Sequence, residues 1–291
     1  MACSRGILIH NPCSGRGRRL LGDVERALKR SGYSLESHQT RAPGHATDLA
    51  QSAAHNGAGF VFALGGDGTL REIAAGLLGT ETVLVPLPAG TTNVVAMELG
   101  LPLDSLRAVG ALENARVQSI DVGLCAGMPF LMQASAGFDA LVLSRLSPVL
   151  KRHLGKIAFA FTGLRELWRY ETPRIKYTLN GKVRHSSFVA ACNIPRYAGA
   201  FRLAPTAALD SGRLHVISFR GTDRRRVLSF AWDLVRGRHL ERDDVDLEDT
   251  DHLELVGPED VDVQLDGDAF RFSMPIDIRL AADKLRILRP W

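Results

Sequence analysis

A chain of 291 residues, 45% of them apolar, has room for one large domain or two smaller ones; it can bury a sizeable core and need not be disordered. The formal charge of +4 suits anionic partners such as nucleotides or phospholipid headgroups but selects none of them. Cys3, Cys13, Cys125 and Cys192 form no C-x-x-C pair and the nine histidines no H-E-x-x-H, which argues against a disulfide framework and a structural transition-metal site. Residues 1–10 lack the apolar stretch of a signal peptide, and no run approaches about 18 uninterrupted apolar residues; the expectation is a cytoplasmic protein.

In chain order, residues 6–10 read as a short buried strand that ends at Asn11-Pro12. Leu20, Leu21, Val24, Ala27 and Leu28 recur at helical spacing, with Gly32 as a stop. A strand over 34–40, a helix over 45–54 and a strand over 60–64 follow. The last of these opens into Gly65-Gly-Asp-Gly68. A helix over 69–78, a strand over 82–87, the loop Pro88-Ala-Gly90 and a further helix complete an alternation that predicts a parallel α/β sheet over 1–120.

The pattern then changes. Short β-like runs occur at 119–125, 130–135, 175–179, 188–192, 214–219, 252–256 and 261–265, divided by turn signals such as Asn180-Gly181, Asp210-Ser-Gly212 and Asp266-Gly267. Only two long helical patterns interrupt them, near 151–170 and 223–238. A second, mainly antiparallel domain over 121–275 is predicted. The acidic run 241–251 reads as a solvated loop or edge.

Three strand-to-helix loops carry the chemistry. In Leu64-Gly65-Gly66-Asp67-Gly68-Thr69 the glycines let the backbone approach an anion and the following helix adds its positive end. Asp67 then suits a Mg²⁺ ligand or a proton acceptor; the bland alternative is a tight turn with an Asp cap. Asn11-Pro12-Cys13-Ser14-Gly15-Arg16 lies at the carboxyl end of the first strand, where open α/β sheets bind ligands. Asn11 and Ser14 offer hydrogen bonds there. Pro88-Ala-Gly90-Thr91-Thr92-Asn93 offers Thr91 and Asn93 for ribose or phosphate, or else a helix cap. The P-loop and protein-kinase signatures are both missing.

Together these motifs resemble the diacylglycerol kinase catalytic-domain family, which includes bacterial lipid kinases and the sphingosine and ceramide kinases. The likeness continues at Thr40 with Gly44-His-Ala46, at Asp121-Val-Gly123, at Ser135-Ala-Gly137-Phe-Asp139-Ala140, through 201–216 and at Asp266-Gly267-Asp268. It implies an NAD kinase- or phosphofructokinase-like nucleotide domain, a lipid-binding β-sandwich, a cleft between them and a last strand, around 276–288, that returns to the first domain. It implies ATP and Mg²⁺ as cofactors and a membrane lipid as acceptor, hence transient membrane association. Asn11, Thr40, Gly66, Asp67, Gly68, Thr69, Glu72 and Thr91 fall at nucleotide positions, to which local chemistry adds Ser14, Gly65, Gly90 and Asn93. Asp67, Asp266 and Asp268 are the catalytic candidates, and Asp67, Asp121 and Asp210 the metal candidates. Three positions depart from the family pattern: Asp268 where Glu is usual, Val94 where many bacterial members have Asp, and Ser211 in place of a metal-binding Asp.

Two basic amphipathic segments admit either membrane contact or core packing. One is 150–168, with Leu154, Ile157, Phe161, Leu164 and Trp168 in a stripe beside Lys151, Arg152 and Lys156; the other is 224–238. The competing functional readings are an NAD kinase and a silent lipid- or nucleotide-binding module. Nucleic acid is not expected as a partner, and a homodimer is compatible with the sequence.

Overall fold

The computed structural model describes residues 4–14, 17–145 and 174–290; the pattern at 151–170 lies outside them. The chain divides into two compact units, Met1–Val122 with Ala282–Trp291, and Gly123–Ala281.

In the first unit the strands run in the order Tyr33–Gln39, Ser4–His10, Phe60–Gly65, Val83–Pro88, Leu285–Pro290 and Ala115–Ile120. The pairings are parallel except the last, which is antiparallel. Ile7, Leu8 and Ile9, Val61 to Leu64, and Val83 to Leu87 are buried. Central strands covered on both faces read this way, as continuous apolar runs rather than alternations. The helices Gly17–Arg30, His45–His55 and Asp67–Leu77 supply that cover. The first buries Val24 and Leu28 and leaves Leu20, Leu21 and Ala27 half-buried.

The second unit is a sandwich of two antiparallel sheets. Among the described residues one runs Lys182–Ser186, Ile175–Leu179, His252–Val256, Ile276–Leu280, Gly123–Cys125, Met128–Phe130. The other runs Val245–Thr250, Leu214–Phe219, Phe188–Cys192, Gln133–Gly137, Val261–Leu265, Asp268–Phe272. Val189, Ala191, Leu214 and Val216 meet Tyr177, Leu253 and Ile278 in the core between the sheets. The alternate residues Phe188, Ala190, Cys192, Ile217 and Phe219 face the other way and are covered by the helix Arg224–Val235.

Two expectations are corrected by these elements. The run 119–125 is two strands: Ala115–Ile120 closes the first sheet, and Gly123–Cys125 begins the second unit. The single last strand expected over 276–288 is also two. Ile276–Leu280 pairs within the sandwich, and only Leu285–Pro290 joins the first sheet. The break falls at 281–284, where the Lys284 ammonium meets the buried Asp121 carboxylate at 3.0 Å.

Candidate nucleotide site and carboxylate turn

The strand order of the first sheet reverses direction between Ser4–His10 and Phe60–Gly65. The chain leaves one toward Tyr33–Gln39 and the other toward Val83–Pro88, and the strand ends at such a reversal are the usual ligand position in open α/β sheets. Register places the loops side by side, since His10 pairs with Leu64 and Gly65 with Pro88.

The first loop is braced by Asn11. Its side-chain oxygen accepts from the Cys13 amide at 2.8 Å, and its amide nitrogen donates to the Thr69 hydroxyl at 3.1 Å. The Asn11 carbonyl accepts from the Ser14 hydroxyl at 2.8 Å. Thr69 is buried on the first turn of the helix Asp67–Leu77, so one hydrogen bond joins the first loop to the second.

The second and third loops touch through glycine. A Cβ on Gly90 would lie 2.6 Å from the Gly66 Cα, an approach no other residue allows. The side chain of Asn93 accepts from the Gly90 amide and donates to the Gly90 carbonyl, both at 2.9 Å. Asn93 itself sits at φ 51, a left-handed conformation that Asn tolerates better than most side chains. Asp67 crosses from the second loop to accept from the Val95 amide at 3.2 Å. Burial pushes its pKa up, against the pull of the amides of Asn93, Val94 and Val95.

Glu72 extends the constellation to the turn after Thr40. Its carboxylate accepts from the Ala46 amide at 3.3 Å, and its carbonyl from the Thr47 hydroxyl at 2.9 Å. Thr40 is buried, and its amide donates to the His10 carbonyl. Thr91 is exposed. Asn11, Ser14, Thr40, Gly66, Asp67, Gly68, Thr69, Gly90, Thr91 and Asn93 therefore lie on loops or a helix start at the carboxyl edge of one sheet, with Gly65 at a strand end and Glu72 on the second turn of the helix Asp67–Leu77.

In the sandwich, Asp266 and Gly267 form a two-residue hairpin turn between Val261–Leu265 and Asp268–Phe272, with φ 51 and 89. The Asp266 carboxylate is buried and accepts three backbone N–H groups: Leu131 at 2.7 Å, Met132 at 2.8 Å and Gln133 at 3.0 Å. With both oxygens engaged, it is a clamp on the 131–133 segment. Asp268, one turn residue further on, is half-buried.

Among the described residues no group of three or more His, Cys, Asp or Glu side chains is gathered around a metal position. Asp121 pairs with Lys284. In the turn at Asp210-Ser-Gly212, the Ser211 hydroxyl donates to the Arg213 carbonyl and the Ser211 amide to the Ala208 carbonyl.

A buried cluster escaped the list of candidates. The Asp139 carboxyl accepts from the Ser135 hydroxyl, the Ala140 amide and the Tyr197 hydroxyl, and Ser135 also reaches Gln264. Burial pushes the Asp139 pKa up to about 6. The motif Ser135–Ala140 is visible in sequence, but its partners Tyr197 and Gln264 come from distant strands and carry no local signal.

The chain thus joins an α/β unit, three of whose strand-end loops meet at one sheet edge, to an antiparallel sandwich. Residues 5–125 match the diacylglycerol kinase catalytic domain, and residues 132–289 match the YegS C-terminal NAD kinase beta sandwich-like domain. The chain belongs to this lipid kinase family. It is 27% identical to a diacylglycerol kinase of Bacillus subtilis (strain 168), over 91% of this chain and 89% of that one. It is 29% identical to a diacylglycerol kinase of Mycobacterium tuberculosis (strain CDC 1551 / Oshkosh), over 96% and 93%. The fold is shared with a crystal structure from Bacillus anthracis str. Sterne, with a TM-score of 0.81 at 24% identity over 99% and 96% of the two chains.

Proposed function

We propose that the chain transfers the γ-phosphoryl group of ATP to the hydroxyl of a membrane lipid, diacylglycerol or a relative such as ceramide, sphingosine or phosphatidylglycerol. The observation that carries this reading is the meeting of three strand-end loops, joined by the Asn11–Thr69 hydrogen bond and the Gly66–Gly90 approach.

The first N–H groups of a helix have no intrahelical acceptors. Those of Gly68 and Thr69, opening the helix Asp67–Leu77, hold phosphate oxygens with the help of the helix dipole. Thr91 adds a hydroxyl from the third loop. When bound, Mg²⁺ neutralises charge on the phosphates. A Mg²⁺ carried by a nucleotide needs only one or two protein carboxylates and keeps several waters, so the donor set here fits it with Asp67 as the protein ligand or as the acceptor of its waters. Asp268 takes the proton from the attacking lipid hydroxyl, while Asp266 holds the adjoining backbone. The lipid oxygen bonds to the γ-phosphorus and the bond to the ADP oxygen breaks. The protein's part is positioning and charge stabilisation.

The test is incubation with γ-labelled ATP and a panel of diacylglycerol, ceramide, sphingosine and phosphatidylglycerol, with products identified by mass spectrometry. A phosphorylated lipid is expected from the wild type and a much smaller yield from Asp67→Asn and Asp268→Asn. No lipid product from the wild type, or undiminished turnover in both variants, would sink the proposal. NADP formed from added NAD would favour the NAD kinase alternative.

A further inference from the structure

The helix Arg224–Val235 packs its inner side on the outer face of the second sandwich sheet. Leu234 is buried there, and Val227 and Phe230 pack with Phe188 and Phe219. This inner stripe fully accounts for the helix as a structural element. Its outer side is apolar as well: Leu228, Trp232 and Val235, at i, i+4 and i+7, are 53%, 62% and 56% exposed. A helix held by packing alone presents polar side chains to solvent, and clustered large apolar groups on a surface mark a contact with something else.

The charges around the stripe say what that contact is. Arg224 and Arg225 stand at one end and Arg236 at the other, all exposed. The carboxylates of the same segment are neutralised by arginines of their own: Asp223 caps the helix and pairs with Arg226, and Asp233 is bridged to Arg242. The outer side is thus an apolar ridge with tryptophan at its middle and the exposed Arg225 and Arg236 at its ends.

We infer that this face docks on an anionic phospholipid bilayer, with Leu228, Trp232 and Val235 entering the boundary between headgroups and acyl chains and Arg225 and Arg236 meeting lipid phosphates. A protein groove would cover the three apolar side chains equally well but gives no reason for arginine at both ends. The inference deepens the lipid kinase proposal and rests on it for its purpose. Binding itself is measured without turnover, so the two fail separately.

The experiment is co-sedimentation of the full chain with vesicles of phosphatidylcholine, alone or mixed with phosphatidylglycerol. The wild type is expected to pellet with the mixed vesicles. Leu228→Glu/Trp232→Glu and Arg225→Glu/Arg236→Glu should each lower the bound fraction about tenfold or more, with circular dichroism and thermal midpoint near wild type. Phosphorylation of a short-chain, water-soluble diacylglycerol by these variants should stay within about twofold of wild type, because the outer face of this helix takes no part in the chemistry. Vesicle binding by a wild type that phosphorylates no lipid would keep the docking surface and remove the kinase proposal. Failure of the wild type to pellet with the mixed vesicles would overturn the inference, as would unchanged binding by Leu228→Glu/Trp232→Glu. So would a wild-type dimer that Leu228→Glu/Trp232→Glu dissociates, since the face would then belong to a second copy.

Discussion

The side-chain amide of Asn11 donates to the hydroxyl of Thr69 across 3.1 Å, joining residues 58 positions apart in the chain. The same amide group holds the Cys13 backbone, so one side chain sets both the shape of the first loop and its distance from the second.

Replacing Asn11 by Ala removes both bonds at once. The expected result is a loss of about 1–2 kcal/mol of stability, measured by denaturant unfolding, together with a raised KM for ATP. An unchanged KM would mean that the first loop is not part of the nucleotide site.

Gly90→Ala places a methyl group 2.6 Å from the Gly66 Cα. Neither backbone can yield without moving its loop, so the variant should lose about 1–3 kcal/mol of stability and bind ATP more weakly in calorimetry. Gly22→Ala, in the helix Gly17–Arg30, whose added Cβ meets only the far end of the Arg26 side chain at 3.6 Å, serves as the control: it should gain up to about 1 kcal/mol of stability and bind ATP as wild type does.

The proposal gives Asp266 and Asp268 different roles, one structural and one chemical. Asp266→Ala leaves the amides of Leu131, Met132 and Gln133 without their acceptor and should cost about 3 kcal/mol or more in unfolding experiments. Asp268→Asn should keep wild-type stability while lowering kcat roughly a hundredfold to ten-thousandfold, as expected for removal of a general base. The reverse pattern would exchange their roles.

Asp139 makes stability depend on pH in a defined direction. Its pKa rises from 3.8 in the unfolded chain to about 6 in the folded one, through burial. Between these values the native state holds a proton that the unfolded state has released, so stability falls as pH rises from about 4 to 6. The loss, of order 3 kcal/mol at most, should vanish from the difference between wild type and Asp139→Asn once both are at or below pH 4. Parallel curves of Tm against pH for the two proteins would contradict this.

The parts of the fold legible in sequence are those where burial leaves a continuous apolar signature. The strands Phe188–Cys192, Leu214–Phe219, His252–Val256 and Val261–Leu265 coincide with the runs read from composition. Val245–Thr250 is harder to see, because its acidic residues fit a solvated loop as well as the sheet edge they form. It is an edge strand whose charges are met from neighbouring elements: Arg184 pairs with Glu248, Arg220 with Asp246 and His215 with Asp249. The three loops of the candidate site announce themselves through Gly, Asn and Asp at strand ends. That Asp266 clamps a segment about 130 positions earlier, and that Ser135, Asp139, Tyr197 and Gln264 share one buried cluster, follows from strand pairing that no local pattern encodes.

The most direct measurement of the central claim is hydrogen–deuterium exchange with and without a non-hydrolysable ATP analogue and Mg²⁺. Amides of 11–14, 66–69 and 90–93 should gain protection together, and Asn11→Ala should weaken the effect in all three segments. Protection confined to other segments, or to one of these alone, would show that the joined loops do not grip the triphosphate.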